Sequence, residues 1–223
     1  MKIKRLSLWH IPLTSHETYY MADGKTCDTV ETVVLRVDTD TGLSGWGEVC
    51  PIPHYLPAYA RGVAPALTEL APVLLGADPV GPEALMAEAD TWLQGHPYAK
   101  SALDIALWDI TAKVADLPLY LLLGGRCQQD LPLYHSITCI APDEMVRIAI
   151  DAQAQGITQF QVKLGADQNA EADIERLNAH IAASQQIPTL VKTSLKECQP
   201  GRPISRLLRS LKNGFVRRRV DQR

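Results

Sequence analysis

Residues 131–165 read LPLYHSITCIAPDEMVRIAIDAQAQGITQFQVKLG, and this stretch decides the fold. Leu133–Cys139 has the length and composition of a strand. Asp143–Gln155 follows as a helix, with Pro142 at its start, acidic residues in its first turn and Gly156 as its stop. Phe160–Leu164 is the next strand, Ala170–Ala183 the next helix, and Pro188–Val191 a third strand. Strand, helix and strand joined by short connections make parallel βαβ units, in an open sheet or a barrel.

Upstream the rhythm is different. Residues 1–10 and 30–38 are predicted strands, and Leu43–Val49 returns from the turn Asp38–Gly42 to make a hairpin. In the second strand Val33, Leu35 and Val37 share one face, and Arg36 and Asp38 the other. A polar loop, Thr14–Asp28, is expected between the first two strands, and a proline-stiffened loop follows at Cys50–Pro57. Pro65–Leu75, Pro82–Leu93 and Tyr98–Ala115 carry apolar residues at helical spacing; Ala102, Leu103, Ala106, Leu107 and Ile110 form one stripe. Three strands and then helices predict an α+β domain over residues 1–125.

The chain has 223 residues, 46% hydrophobic and 21% charged, an ordinary globular composition. No apolar run reaches the ~18 residues of a membrane span. Met1–His10 lacks a continuous apolar segment and a small-residue cleavage site, which predicts a cytoplasmic protein. Five scattered cysteines without a Cys-x-x-Cys pair argue against a disulfide framework or zinc site. The net charge of −3 conceals a division: residues 1–191 hold 12 Lys/Arg against 23 Asp/Glu, and residues 192–223 hold 10 against 2. Such a switch is foreign to a single enzyme domain.

Three segments carry a family resemblance over roughly residues 1–190. They are Thr39-Asp-Thr-Gly-Leu-Ser-Gly-Trp-Gly-Glu48, then Ala102-Leu-Asp-Ile-Ala-Leu-Trp-Asp109 followed by Lys113 and Leu117–Gly125, and Gln161-Val-Lys-Leu-Gly165. In this order they resemble the mandelate racemase/muconate lactonizing group of the enolase superfamily. The resemblance implies an α+β capping domain (1–125) followed by a TIM-type (β/α)8 barrel, here incomplete, with two or three of its eight strands over 131–191. It also implies proton abstraction beside a carboxylate, with Mg²⁺ stabilising the enediolate. Within this group the stretch Cys27–Arg36, with Glu48–Tyr55, looks most like enzymes of hydroxyproline and proline-betaine metabolism, above all the cis-3-hydroxy-L-proline dehydratases. A racemase or epimerase of proline betaines or related amino-acid derivatives is the alternative, and the parent enzyme is expected to be a homo-oligomer acting on a small carboxylate or amino-acid substrate.

Physically, Gly45 and Gly47 allow close backbone approach, and Trp46 is expected to bury a large surface. Asp104 and Asp109 lie about 140° apart round a helix, so they suit capping or salt bridging rather than a carboxylate pair. Lys163 is the sharp candidate. Barrel enzymes place catalytic groups at the C-terminal ends of strands, and a desolvated lysine there serves as a base. Without the resemblance a strand-end lysine is an ordinary solvated side chain. Gln161 stands where the family carries a first lysine; being neutral, it cannot act on Lys163 by like-charge repulsion. Tyr20 and Met21 in the first loop, and His54 and Tyr55 in the second, are the candidate substrate-binding residues beside Gln161.

As the resemblance implies, the Mg²⁺ ligands are three carboxylates ending the third, fourth and fifth barrel strands. After Thr189–Val191 comes Lys192, and beyond Glu197 the only carboxylate side chain is Asp221, so the ligands are expected to be absent from this chain. A full barrel takes about 250 residues, and 93 follow Asp130. The chain is therefore predicted to be an inactive N-terminal piece of such an enzyme, truncated or frameshifted. The tail 192–223 is expected to be non-native or disordered, a product of out-of-frame translation. Its rival is a noncatalytic binding protein whose basic tail holds anions. With Phe215 as its single aromatic residue, the tail is expected to have no specific nucleic-acid partner.

Overall fold

A computed structural model describes residues 1–20, 24–165 and 169–183. Met21, the third strand expected at Pro188–Val191 and the basic tail lie outside the described residues.

Three strands open the chain: β1 (Ile3–Tyr20), β2 (Thr26–Thr39) and β3 (Ser44–Val49), in the order β1-β2-β3. The β2–β3 pair is antiparallel, with Leu35 opposite Gly47 and Val37 opposite Gly45. Val33, Leu35 and Val37 are buried, as their alternation predicts. Helices α1 (Val63–Leu74), α2 (Pro82–Trp92), α3 (Pro97–Ala115) and the single turn α4 (Leu119–Leu122) follow. The expected stripe of α3 is buried against β2 and its neighbours.

The contact between α3 and β3 explains the two glycines. A Cβ on Gly45 would lie 2.2 Å from the Ala106 carbonyl oxygen, and one on Gly47 1.9 Å from that of Ala102. Helix backbone therefore rests directly on strand backbone, which only glycine permits. Asp109 fastens the same contact: its Oδ2 accepts the Trp46 amide at 2.9 Å and the Lys113 ammonium at 2.7 Å. Lys113 also donates to the Ser44 carbonyl. Asp109 thus does the salt bridging expected of it. Asp104 does not share its position; burial, and then the negative charge of Glu83, push the Asp104 carboxyl above the usual carboxylate range.

Two expectations are corrected. The segment Thr14–Tyr20 is not loop but the continuation of β1, and β2 starts at Thr26. Ladder hydrogen bonds need no apolar alternation, so a polar strand left exposed gives no periodic signal. Trp46 is not buried: it is 45% exposed, stacked on Trp9 with ring centroids 5.7 Å apart. The Arg36 guanidinium lies 5.7 Å from the Trp9 ring and 5.5 Å from that of Trp46. Between the two glycines, which face the helix, the pleat sends Trp46 to the opposite side.

From Tyr134 the elements are β4 (Tyr134–Ile137), α5 (Pro142–Ala154), β5 (Gln159–Val162) and α6 (Ala170–Ala183). β4 and β5 pair in parallel, Ser136 opposite Gln161 and Ile137 opposite Val162. Gly156, with φ 89°, terminates the α5 segment in the left-handed conformation that its position required. Ile137, Phe160 and Val162 pack with Met145, Ala149 and Ala152 of α5 in a second core.

The chain divides into two compact units: Met1–His16 with Asp28–Gln129, and Glu17–Cys27 with Asp130 onward. No helix among the described residues is long and apolar enough to cross a membrane.

Candidate functional site

In β5 Phe160 and Val162 turn into the second core, so the period-2 alternation puts Gln161 and Lys163 on the opposite face. Ser136 of β4 lies beside Gln161 in the ladder. Its hydroxyl donates to Gln161 Oε1 at 3.2 Å. The Lys163 amide donates to the Ile137 carbonyl at 3.0 Å, so the ladder continues one residue past β5 and fixes the backbone that carries the lysine.

The end of β1 belongs to the same unit and completes the cluster. The Tyr19 hydroxyl is hydrogen-bonded to Ser136 Oγ. With Ser136 donating to Gln161, Tyr19 is the donor, and the three residues form a directed chain of hydrogen bonds. Lys163 Nζ lies 5.9 Å from the centre of the Tyr19 ring, within cation–π range. Thr138 clamps the next residue: its hydroxyl accepts the Tyr20 amide at 2.5 Å and donates to the Tyr20 carbonyl at 3.0 Å. Thr138 is buried; the Tyr20 side chain is exposed.

Beyond Lys163 the connecting backbone is also held. The Gly165 amide donates to Asp173 Oδ1 at 3.1 Å, and the same oxygen accepts Arg176 Nη1 at 3.0 Å. Arg176 Nε in turn donates to the Ile140 carbonyl beyond β4. One ion pair on α6 thereby ties the exits of both parallel strands, a support that orients side chains at those exits.

The structure brings Lys163 and Gln161 together, and Tyr20 enters through its backbone. His54 and Tyr55 are exposed residues of the Cys50–Pro57 loop in the other unit. Tyr19 and Ser136 are absent from the sequence candidates. The alternation of β4 would have paired Ser136 with Gln161 once a parallel register was assumed, whereas nothing local distinguishes Tyr19 from Tyr20.

Chemically, Lys163 supplies an amine that takes or gives a proton. Gln161, Ser136 and the Tyr19 hydroxyl supply neutral hydrogen-bonding groups on one strand face. Among the described residues no three His, Cys, Asp or Glu side chains gather where they could hold a metal ion. The described residues therefore do not fit a Mg²⁺ site by themselves.

Residues 10–124 match the family model of the mandelate racemase/muconate lactonizing enzyme N-terminal domain. The chain is 41% identical over 181 residues to a cis-3-hydroxy-L-proline dehydratase of Roseibium aggregatum, covering 80% of this chain and 49% of that protein. A member of the enolase superfamily from Roseovarius nubinhibens, solved with magnesium, superposes with a TM-score of 0.73 at 38% identity, over 81% of this chain and 49% of that one. The N-succinyl Arg/Lys racemase of Bacillus cereus superposes with a TM-score of 0.87 at 26% identity, over 96% of this chain and 57% of that one. The chain spans about half the length of the curated relatives it matches. A hairpin whose glycines seat on a helix backbone, the parallel strand pair and these likenesses agree: the chain belongs to the mandelate racemase/muconate lactonizing enzyme family of the enolase superfamily.

Proposed function

We propose that the protein is a piece of an enolase-superfamily dehydratase acting on cis-3-hydroxy-L-proline, and that Lys163 is the base that removes the α-proton. The observation that carries the assignment is the position of Lys163. It stands at the C-terminal end of the second parallel strand, on the face turned away from the second core and beside a donor–acceptor chain of Tyr19, Ser136 and Gln161. In this proposal residues 131–191 supply the first two or three strands of a (β/α)8 barrel. The likeness to the Roseibium dehydratase supports the substrate.

In the reaction the amine of Lys163 takes the α-proton, the C–H electron pair becomes a C=C bond to the adjacent carbon, and the C–O bond to the 3-hydroxyl breaks. The hydroxide leaves as water with a proton from solvent, and Lys163 later returns its own proton to solvent, so that one water is lost overall. Gln161 and Ser136 orient the substrate through hydrogen bonds. Magnesium in a solved relative supports a metal requirement in the family; among the described residues no ligand set for it gathers. The fold likeness to the Bacillus racemase favours one second reading, in which the proton returns to the opposite face and the hydroxyl stays.

The test uses the gene as well as the protein. The 223-residue chain should show no deuterium uptake at the α-carbon of cis-3-hydroxy-L-proline in D₂O, with or without Mg²⁺. The frame that restores carboxylate-bearing strands after codon 191 should yield a chain that dehydrates this substrate. In that chain Lys163→Ala should lower the rate by about 10²–10⁴-fold, the usual worth of a general base. Undiminished α-proton exchange in Lys163→Ala would remove Lys163 from the role. Exchange without loss of the hydroxyl would assign the epimerase instead, and three frames without acidic strands would end the frameshift account of the tail.

A further inference from the structure

We propose that Tyr19 is a positioning residue for Lys163, its ring holding the ammonium end of the lysine and its hydroxyl aiming that ring from Ser136. The inference rests on Lys163 being the reactive amine and adds a residue that no sequence feature marked.

A lysine side chain has four rotatable bonds, and one at a strand exit is free to swing unless something fixes its end. Here the fixing element is the Tyr19 ring, whose centre is 5.9 Å from Nζ. The ring is itself anchored more than once. Its hydroxyl donates to Ser136 Oγ, and Ser136 is locked in turn by donating to Gln161 across the ladder. The following residue, Tyr20, is clamped by the buried Thr138 through both its amide and its carbonyl. Ser136, Thr138, Gln161 and Lys163 all lie on β4 and β5 or immediately beyond them, so the ring is built onto the strands that carry the lysine. Three neutral groups thereby set the place of one charged group. Gln161 adds no charge beside Lys163, so the contact is made to the ring face with no competing cation from that position.

Acylation of the Lys163 amine reads this contact without requiring turnover. The 223-residue chain is treated with limiting acetic anhydride, and modification at Lys163 is followed by peptide mass spectrometry, with Lys113 as the internal reference. Tyr19→Leu should raise the Lys163 rate about two- to fivefold relative to Lys113, the size expected for losing a cation–π contact at a partly exposed site. Tyr19→Phe keeps the ring but, like Ser136→Ala, removes the hydroxyl anchor, so both should raise the rate by less than Tyr19→Leu does. An unchanged Lys163 rate in Tyr19→Leu, or equal rises in the Leu and Phe variants, would overturn the assignment. If amide exchange at Ile137 and Val162 shows that Tyr19→Leu has lost its fold, Ser136→Ala decides: a rise supports the contact and no rise overturns it. The outcome separates from that of the proposed function. Should acylation respond as expected while α-proton exchange survives Lys163→Ala in the rejoined enzyme, Lys163 is held by Tyr19 but is not the base. Should exchange be lost and acylation not respond, Lys163 is the base and Tyr19 does not position it.

Discussion

Asp38 closes the β2–β3 hairpin with its side chain rather than with its backbone alone. Ser44 donates to Oδ1 at 2.6 Å, and Arg5 Nε and Arg36 Nη2 donate to Oδ2 at 2.9 and 3.1 Å. The Ser44 hydroxyl most of all, and then the two guanidinium groups, hold the carboxyl at about 2, against a partial opposing cost of burial. A carboxylate whose folded pKa is depressed stabilises the fold at pH values above its unfolded pKa. That contribution is lost as pH falls through the folded value. Asp38→Asn should therefore cost about 1–2 kcal/mol near neutral pH, after allowance for solvent screening at this partly open site. The difference from wild type should shrink between pH 4 and about 2. Urea denaturation at several pH values checks this; a difference that stays constant across that window would mean that the ionised form is not what matters. Arg36 connects the pair to the exposed face, because its guanidinium also lies against Trp9 and Trp46.

At the scale of elements, the end of β1 is a strap to which Thr138 makes two of the hydrogen bonds, beside the one between Tyr19 and Ser136. Thr138 meets both backbone groups of Tyr20, so a single hydroxyl satisfies a donor and an acceptor at a strand end. Thr138→Val keeps the shape and removes both bonds, each worth about 1 kcal/mol. Its expected effect is a rise of about tenfold or more in hydrogen exchange at Tyr20, with Thr138→Ser near wild type. Protection that survives in Thr138→Val would show that the strap is held by something else. Much of this element map was legible in the sequence. Val33, Leu35 and Val37 alternate, the α3 stripe is spaced for a helix, and Pro142 and Gly156 bracket α5. The extension of β1 through Thr14–Tyr20 was not, because its polar residues carry no period and its partners lie 117 and 118 residues away at Ser136 and Thr138. The same distance hid Tyr19: on a strand, neighbours point to opposite faces, and only the docking partner decides which of Tyr19 and Tyr20 faces the lysine. Trp46 failed for the related reason that glycines on both sides of it took the helix-facing positions.

For the whole molecule, the described residues form two cores of unequal size. The first joins the strands and helices of residues 3–110, including fully buried Leu35, Leu67, Leu70, Leu103 and Ile110. Among the described residues the second gathers Ile137, Met145, Ala149, Ala152, Phe160 and Val162 around two strands of four residues each. A two-stranded sheet depends on packing from its helices, and the smaller the apolar surface removed from water, the smaller the stabilisation. The charge division at residue 191, legible from composition alone, says nothing of this difference, which comes from core size. Cores of different strength open separately, so the protein should not behave as one cooperative body. Amides of Leu35, Val37 and Leu103–Ile110 are expected to exchange last. Those of Ile137, Phe160 and Val162 should exchange about tenfold faster or more, through an opening that leaves the first core intact. Hydrogen exchange in increasing urea tests this: the two sets should converge only as the first core itself unfolds, and merged rates from zero denaturant upward would show that the second core is secured by the first and has no separate stability to lose.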